Sequence, residues 1–269
     1  MANPNFPNIM DAHAHIFPQK ISYKAVDSIL SFYDELIPEM EPGKGTVSDL
    51  LTSGTNAGIN YFLVSSTATR PEQVESINDF IADVCKDNRF IGFGTIHPEY
   101  PHPQLEIERA ASLGIKGLKL HPDFQQCNID DAALLPIYQA AEGRLPILFH
   151  IGDIRTDYSS PRRLARVLDM FPDLVVIAAH LGGWSLWDEF NESVYKKNVY
   201  IDTSSSLMLT DRETAVRIIR THGVDKVLFG TDYPMWSPEA EIERFLSLGL
   251  TQEENQKILW DNARQLFHI

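Results

Sequence analysis

The sequence predicts a single α/β domain built as a (β/α)8 (TIM) barrel. Eight short apolar runs alternate with segments of helical periodicity along the chain, which is the pattern of parallel β/α units. The chain has 269 residues, of which 43% are hydrophobic, and about 250 residues is the usual size of such a barrel. An open doubly wound sheet would show the same alternation, but no Gly-x-Gly-x-x-Gly follows the first run, which favours the barrel.

The apolar runs define the expected strands, which are residues 9–15, 60–65, 90–95, 117–120, 146–150, 174–180, 199–202 and 226–230. We expect helices between them over residues 21–37, 47–56, 71–88, 105–113, 131–142, 184–196 and 211–221. Further helices are expected to begin at Ser160-Pro161, at Ser237-Pro238 and at Thr251, where Glu254 completes a capping box. The sequence contains no linker or repeat, so residues 1–269 are expected to form one domain.

Composition excludes several classes of partner. The net charge is -14 and the pI is near 5.0, so phosphate backbones and anionic membranes are repelled and neither nucleic acid nor a membrane is expected as a partner. Cys85 and Cys127 lie in unrelated segments without Cys-x-x-Cys spacing, which argues against a disulfide framework and against a thiolate metal site. Residues 1–8 lack the pattern of a signal peptide. We expect a soluble cytoplasmic protein.

The first strand ends in His13-Ala14-His15. Because side chains alternate between the faces of a strand, both imidazoles are expected to point the same way. Neutral imidazole is a good ligand for zinc and neighbouring first-row ions. These residues therefore predict half of a metal site. A pair of surface histidines on a loop is the alternative when they are considered alone.

Polar residues also stand at the ends of the other predicted strands, where active sites of such barrels lie. They are Ser65, His97, His121, His150, His180, Asp202 and Asp232. His150 shares a strand face with Leu148, and His180 shares one with Ala178 and Val176, so both histidines are expected to point inward. Asp232 follows the eighth run and would lie beside the first strand once the barrel closes.

These positions predict a catalytic metal site. His13, His15, His150 and Asp232 would supply three nitrogens and one oxygen and leave a coordination position for water. Lowering the pKa of that water from 15.7 to about 7 corresponds to on the order of 12 kcal/mol. His180 and Asp232 are the candidate proton carriers. A hydrogen-bonded trio that holds the barrel ends together is the alternative for His13, His15 and Asp232, and an orienting role is the alternative for His180.

The ordered set His13-x-His15, His150, His180 and Thr-Asp232 resembles the amidohydrolase superfamily. Residues 116–122 (Lys-Gly-Leu-Lys-Leu-His-Pro) and 230–234 (Gly-Thr-Asp-Tyr-Pro) are similar to its amidohydrolase-related branch, which includes aminocarboxymuconate semialdehyde decarboxylase. The resemblance implies a barrel of the metallo-dependent hydrolase type with one divalent ion, usually Zn2+ and alternatively Mn2+, and with His180 as a base. The branch contains hydrolases, hydratases and non-oxidative decarboxylases, so the motifs leave the reaction open.

Lys119 raises the question of a second metal ion. In dinuclear relatives a lysine on the fourth strand is carboxylated and bridges two ions, and Lys119 shares a strand face with His121 here. If both pointed into the site, His150 and His180 could bind a second ion. We expect one ion instead, because the sequence Lys-Leu-His-Pro is also common in the mononuclear branch.

Substrate contacts are expected just beyond the strands. Arg155 could hold a substrate carboxylate through two hydrogen bonds, while His121 and Trp184 would border the pocket. The alternatives are a strand ending for His121, which precedes a proline, and a core role for Trp184. The expected ligand is a small molecule that carries a carboxylate. A homodimer is a further expectation, since barrels of this branch often pair.

Three functions follow in order of preference. The first is a metal-dependent hydrolase of a small amide, ester or lactone that uses a metal-activated water. The second keeps the metal but removes carbon dioxide from an aromatic or unsaturated carboxylic acid. The third is a barrel that binds a metal or a ligand without turnover.

Overall fold

The computed structural model describes residues 6–33, 42–194 and 197–269. Eight strands form one sheet in the order β1 to β8, and every neighbouring pair is parallel. The strands are β1 (Met10–His15), β2 (Tyr61–Ser65), β3 (Phe90–Gly94), β4 (Gly117–Leu120), β5 (Ile147–Phe149), β6 (Val176–Ala178), β7 (Val199–Asp202) and β8 (Val227–Leu228). Each lies within one of the apolar runs of the sequence.

The sheet closes on itself between β8 and β1. Ala14 forms a parallel bridge with Tyr233, the Ala12 N–H donates to the Phe229 carbonyl at 2.8 Å, and the Asp232 N–H donates to the His13 carbonyl at 2.8 Å. These bonds give the first strand a neighbour on each side. The predicted TIM barrel is therefore confirmed.

The helices surround the strands and are α1 (Ser22–Tyr33), α2 (Val47–Asn56), α3 (Val74–Val84), α4 (Pro103–Ser112), α5 (Pro122–Gln125), α6 (Leu135–Ala141), α7 (Pro161–Met170), α8 (Trp187–Val194), α9 (Arg212–His222), α10 (Pro238–Ser247), α11 (Gln252–Gln256) and α12 (Asn262–Phe267). A π-helical turn, Lys257–Asp261, joins α11 to α12. Among the described residues, no helix is both long and apolar enough to cross a bilayer.

Three predicted helices start three or more residues later than expected, and the one expected over 71–88 begins at Val74 because residues Pro71–Gln73 form a 3-10 turn first. The helix expected over 131–142 begins at Leu135, after a turn in which the Ala133 N–H donates to the Asp131 carboxylate at 2.9 Å. The helix expected over 184–196 begins at Trp187, because Trp184 has a left-handed φ of 47° that a right-handed helix cannot continue. Residues 34–37 and 195–196 of the predicted helices lie outside the described residues.

The buried apolar side chains form an inner and an outer layer. Met10, Leu63, Leu148, Ile177 and Leu228 belong to one cluster inside the barrel, which α12 closes with Ala263 and Phe267. The neighbouring strand residues alternate outward and pack against the helices, as Ile9, Val64, Phe149, Ala178 and Val227 do. Burial on both faces is the usual arrangement for a parallel sheet.

The strand β1 departs from this alternation immediately before its histidines. Between Asp11 and Ala14 the strand advances three residues while its partner β2 advances two, which is a β-bulge. As a result Ala12 faces the inner layer while Ala14 faces the outer one. The bulge shifts the alternation by one residue and directs His13 and His15 towards the open end of the barrel.

Candidate metal centre and its pocket

Three of the four predicted metal ligands come together where β1 meets the segment after β8. The Nε2 atoms of His13 and His15 lie 3.2 Å apart, and Asp232 Oδ1 lies 3.5 Å from His13 Nε2 and 3.2 Å from His15 Nε2. The chain can approach this closely because residue 230 is glycine, where a Cβ atom would lie 2.9 Å from the Cβ of His13. Two imidazoles and a carboxylate converge here, which is a suitable donor set for Zn2+ or Mn2+.

Burial and mutual contact set the protonation of this trio. Burial lowers the pKa of His13 and of His15, which favours the neutral imidazole that binds metals. Burial alone would raise the pKa of Asp232. The neighbouring His13 and His15 outweigh burial and hold the pKa of Asp232 well below its usual range. The trio therefore presents lone pairs rather than protons near neutral pH.

Asp202, the last residue of β7, and Ser204, two residues further on, contact the Nδ1 side of the His13 ring. Its Nδ1 atom lies 2.9 Å from Asp202 Oδ2 and 2.9 Å from Ser204 Oγ, and the Ser204 hydroxyl also donates to the Asp202 carboxylate. A carboxylate on the far nitrogen fixes the ring and places the lone pair on Nε2. Asp202, expected as a hydrogen-bonding partner at a strand end, contacts His13 in this way.

The side chain of His180 points into the site for a different reason from the one that its strand position predicts. Val176 and Ala178, with which it would share a strand face, pack outward, so strict alternation would also turn His180 outward. The strand β6 instead ends at Ala178, and His180 adopts a left-handed φ of 63°. This turn carries the imidazole to within 3.0 Å of His150 Nδ1. The prediction that strand alternation turns His180 inward was therefore wrong. Its side chain borders the cavity because of the positive φ instead.

The hydrogen bonds of His180 fix the tautomers of both histidines. The Ser204 carbonyl oxygen lies 3.0 Å from His180 Nδ1, and because a carbonyl can only accept, this nitrogen carries the proton. In the neutral ring His180 Nε2 then accepts, so His150 Nδ1 must donate to it. His150 Nε2 is left with a lone pair and has no hydrogen-bond partner among the described residues. Burial lowers the pKa of His180 to about 4 and that of His150 well below its usual value.

His150 does not join the predicted ligand set in this arrangement. Among the described residues, three groups of side chains place one potential ligand atom each within 4.8 Å of one another. They are His13, His15 and Asp232; His13, His180 and Asp202; and His121, Asp123 and His150. The structure thus places His150 beside Asp123, at 3.8 Å between Nε2 and Oδ2, and all four predicted ligands border one cavity.

Lys119 is buried at the base of the same cavity. Its Nζ atom lies 3.1 Å from His13 Nε2, and burial lowers its pKa to about 8. The lysine therefore does point into the site together with His121, as the strand pattern indicates. The Lys119 ammonium group therefore lies beside the nitrogen of His13 that is predicted to bind the metal ion.

The cavity has a volume of about 690 Å³, and most of its exposed wall area is apolar. Its aromatic lining residues are Phe17, Phe32, Tyr33, Phe80, Phe124 and Trp184. His121 and Trp184 both border it. The His121 ring stacks between Phe124, at 3.7 Å, and His150, at 4.0 Å. Trp184 packs edge-on against Tyr33 at 5.5 Å. A flat aromatic molecule fits such walls, because offset and edge-to-face ring contacts are favourable.

Arg155 does not border the cavity. Its guanidinium forms two hydrogen bonds to Asp153, at 3.0 and 2.7 Å, donates to the Phe32 carbonyl at 2.6 Å and lies 4.4 Å above the Phe32 ring. The donors that would bind a substrate carboxylate are therefore engaged. The expected substrate contact is not made in this arrangement, and Arg155 instead fastens the end of α1 to the barrel.

Sequence reasoning missed three residues of the site. Tyr33, at the end of α1, places its hydroxyl 3.1 Å from His121 Nε2. Ser205 donates to Asp232 Oδ2 at 2.5 Å and accepts from Trp236 Nε1 at 2.7 Å. Asp123 borders the cavity two residues after the predicted strand-end residue His121. The run Thr203–Ser206 after β7 was the one local signal for such contacts, whereas Tyr33 depends on how α1 folds back.

Comparison with known proteins identifies the family. The sequence model of the Amidohydrolase family matches residues 10–269. The chain belongs to the amidohydrolase family. This membership supports an enzymatic role and agrees with the resemblance carried by the histidine and aspartate motifs.

Three curated relatives of this amidohydrolase are decarboxylases. A decarboxylase from Emericella nidulans is 28% identical over 39% of this chain and 38% of its own length, and gamma-resorcylate decarboxylase from Polaromonas sp. is 25% identical over 38% and 37%. The 2-amino-3-carboxymuconate-6-semialdehyde decarboxylase of Dictyostelium discoideum is 24% identical over 72% of this chain and 66% of its own length. The alignments thus span less than two thirds of each relative.

Solved structures show the same fold. An uncharacterized TIM-barrel protein from Bordetella bronchiseptica has a TM-score of 0.81 at 23% identity and covers 97% of this chain and 98% of its own. A manganese-bound 5-carboxyvanillate decarboxylase from Novosphingobium aromaticivorans has a TM-score of 0.77 at 17% identity, covering 99% and 97%. At these identities the likeness establishes the barrel architecture.

Proposed function

We propose that this amidohydrolase is a metal-dependent, non-oxidative decarboxylase of an aromatic carboxylic acid. The observation that carries the proposal is the convergence of His13, His15 and Asp232 at the base of a cavity with aromatic walls. The decarboxylase activity of the curated relatives supports this choice over hydrolysis. The hydrolase hypothesis, which the sequence alone placed first, remains unconfirmed and would use the same metal site.

The residues of the site fit a divalent ion. His150 Nε2 is buried, carries a lone pair and has no partner among the described residues, so it is available as the fourth ligand. Among the described residues, three carboxylates and one ammonium group contact the histidines of the site. The carboxylates are those of Asp123, Asp202 and Asp232, and the ammonium group is that of Lys119. With neutral histidines, two negative charges remain, which is the charge that one Zn2+ or Mn2+ neutralises. A single ion therefore matches the site better than two.

When bound, the ion would supply positive charge that orients the substrate carboxylate and stabilises negative charge in the transition state. In this proposal the ring of the substrate would lie between the His121 stack and Trp184, which both border the cavity. Breaking the bond to the carboxylate leaves an electron pair on the ring carbon, which takes a proton. Because His180 Nε2 and the Asp232 carboxylate are both unprotonated in this arrangement, we assign them a relay role, in which they would first accept a proton from water and then pass it to the ring carbon. Both side chains border the cavity.

Carbon dioxide release tests the proposal. Enzyme stripped with a chelator and reloaded with Mn2+ or Zn2+ would be incubated with 2,6-dihydroxybenzoate, 5-carboxyvanillate and a set of aryl amides and lactones. We expect metal-dependent release of carbon dioxide from an acid and, in D2O, one deuterium at the vacated ring position. The variant His180→Ala should lose at least about 100-fold in rate, whereas the exposed His102→Ala should retain wild-type activity.

Two results would contradict this function. Hydrolysis of an amide or lactone without carbon dioxide release from any acid would restore the hydrolase hypothesis. Full activity of His180→Ala would remove this residue from proton transfer. A protein that binds a metal ion but converts neither class of compound would support the third function, a barrel without turnover.

A further inference from the structure

Lys119 is a buried cation that no carboxylate of the protein contacts. The residue is 1% exposed and borders the cavity. Among the described residues it forms no ion pair, and its one hydrogen bond is to His13. Two carboxylates act on its charge, but Asp202 pairs with His13 and Asp232 with His15 instead. A buried charge is unfavourable unless it is paired, so Lys119 lacks a counter-ion at the wall of the cavity.

The hydrogen bond of Lys119 goes to the nitrogen that the proposed function assigns to the metal ion. Its Nζ atom lies 3.1 Å from His13 Nε2. Because Asp202 contacts Nδ1 of the same ring, the lone pair is on Nε2 and accepts from the ammonium group. A metal ion bound to His13 would take up that lone pair. The ammonium group would then keep its charge and its N–H donors but lose the acceptor that it has in this structure.

The other charged side chains that border the cavity do not replace this acceptor. Among the described residues of the cavity wall, the other cations are Lys24 and Arg70, and both are exposed. The carboxylates are those of Asp123 and Asp232, and each belongs to a group of potential metal ligands. Lys119 is therefore the buried cation of this wall, and an anionic group of a bound ligand is the partner that would satisfy it.

Arg155 cannot serve this purpose in the present arrangement. Its guanidinium is occupied by Asp153 and by the Phe32 carbonyl, and it does not border the cavity. The substrate of the proposed function carries a carboxylate, which has to lie near the metal ion. Lys119 is a cation at that place, since its Nζ atom contacts a predicted metal ligand.

We infer that Lys119 binds the carboxylate of the substrate, and that it does so as an ammonium group rather than as a carboxylated ligand of a second metal ion. This inference rests on the proposed function for the position of the ion and for the acid as substrate. A hydrogen bond between charged groups in a buried site corresponds to about 10- to 100-fold in affinity.

Ligand binding tests this role without requiring turnover. Isothermal titration calorimetry on Mn2+-loaded protein would compare benzoate, 3-methylbenzoate and 4-methylbenzoate with the primary amides of the same acids, which have a similar shape but no charge. We expect at least one acid to bind the wild type more tightly than its amide. Lys119→Met should lower that preference about tenfold or more, because the metal ion alone then attracts the carboxylate. Lys119→Gln should show the same loss and serves as the second variant if the methionine variant does not fold.

The matched control is Lys116→Met, because Lys116 is exposed and precedes the same strand. It should keep the wild-type preference, and thermal unfolding checks that all variants are folded. Metal analysis should find one Mn2+ per chain in the wild type and in Lys119→Met, since the lysine is not expected to bind the ion.

Three results would overturn the inference. They are no preference for any acid over its amide, an unchanged preference in both Lys119 variants, and two ions per chain in the wild type together with a carboxylated Lys119, detected by NMR with isotope-labelled bicarbonate. A Lys119-dependent preference without carbon dioxide release from any acid would refute only the proposed function. Carbon dioxide release with a preference independent of Lys119 would refute only this inference.

Discussion

Closure of the barrel depends on a buried contact between Asp11 on β1 and Thr231 after β8, and Thr231→Val tests it. The Thr231 hydroxyl donates to Asp11 Oδ2 at 2.6 Å, and its N–H donates to Oδ1 at 3.0 Å. The same hydroxyl accepts from the Tyr233 N–H at 3.0 Å. Valine has the same shape as threonine but lacks the oxygen. The substitution therefore removes two buried hydrogen bonds beside the metal trio without opening a cavity.

The expected loss follows from those two bonds. A hydrogen bond to a carboxylate contributes about 1.5–3 kcal/mol and a neutral bond about 1 kcal/mol. Because neighbouring losses are not fully additive, we expect a decrease of about 2–4 kcal/mol in the free energy of unfolding. For a chain of this length that corresponds to a fall in Tm of about 4–16 °C. Burial raises the pKa of Asp11 to about 7, so the measurement belongs at pH 8, where its carboxylate is ionised.

Urea and thermal unfolding of chelator-treated protein would measure the effect without a contribution from metal binding. Thr231→Ser, which keeps the hydroxyl, should lose only about 1 kcal/mol through its missing methyl group. Thr55→Val, an exposed substitution, should be neutral within about 0.5 kcal/mol. If Thr231→Val were as stable as the wild type, or if the serine variant were equally destabilised, the hydroxyl contacts would not hold β1 to β8.

Two further predictions concern the metal and the pH dependence of stability. His13→Ala should lose the bound ion and the activity together, measured by metal analysis and carbon dioxide release, while His102→Ala keeps both; activity without His13 would remove β1 from the mechanism. Burial raises the pKa of Glu241 from 4.5 to about 7, so its stabilising contribution is complete below pH 4.5 and is lost as the pH rises through 7. The wild type should therefore lose on the order of 3 kcal/mol of its free energy of unfolding between pH 4.5 and 8, and Glu241→Gln should not. Urea unfolding at both pH values measures this difference, and parallel pH profiles of the two proteins would contradict the prediction.

The barrel and three of the four predicted metal ligands could be placed from sequence because both depend on regular patterns. Eight alternating units fix the number of strands, and closure of the ring makes the first and eighth strands neighbours. His13, His15 and Asp232 then meet for topological reasons, and their ligand atoms lie within 4.8 Å of one another. The bulge that orients the two histidines leaves no clear signal, since Asp11, Ala12 and Ala14 suit a regular strand equally well.

The remaining contacts depend on irregular backbone and on long-range folding. His180 points inward only because its φ is positive, which strand periodicity cannot predict. Tyr33 reaches His121 from 88 residues away in the chain. Arg155 was predicted to hold a substrate carboxylate, whereas in the structure its guanidinium pairs with Asp153, two residues away. The sequence alone does not show whether an arginine is free or forms such a local ion pair. Side chains positioned by irregular turns and by loop contacts therefore could not be placed from the sequence.

The left-handed backbone at His180 and Asp232, with φ of 63° and 59°, has a consequence for the evolution and engineering of this enzyme. Each such residue costs about 1 kcal/mol or more relative to glycine, and in both cases it carries a side chain assigned to proton transfer. Glycine would relieve the backbone strain at either position, but it would also remove a buried side chain with its hydrogen bonds and the group assigned to proton transfer. Thermostabilising libraries should therefore leave these two codons unchanged, because the strained backbone and the side chain it orients cannot be altered separately.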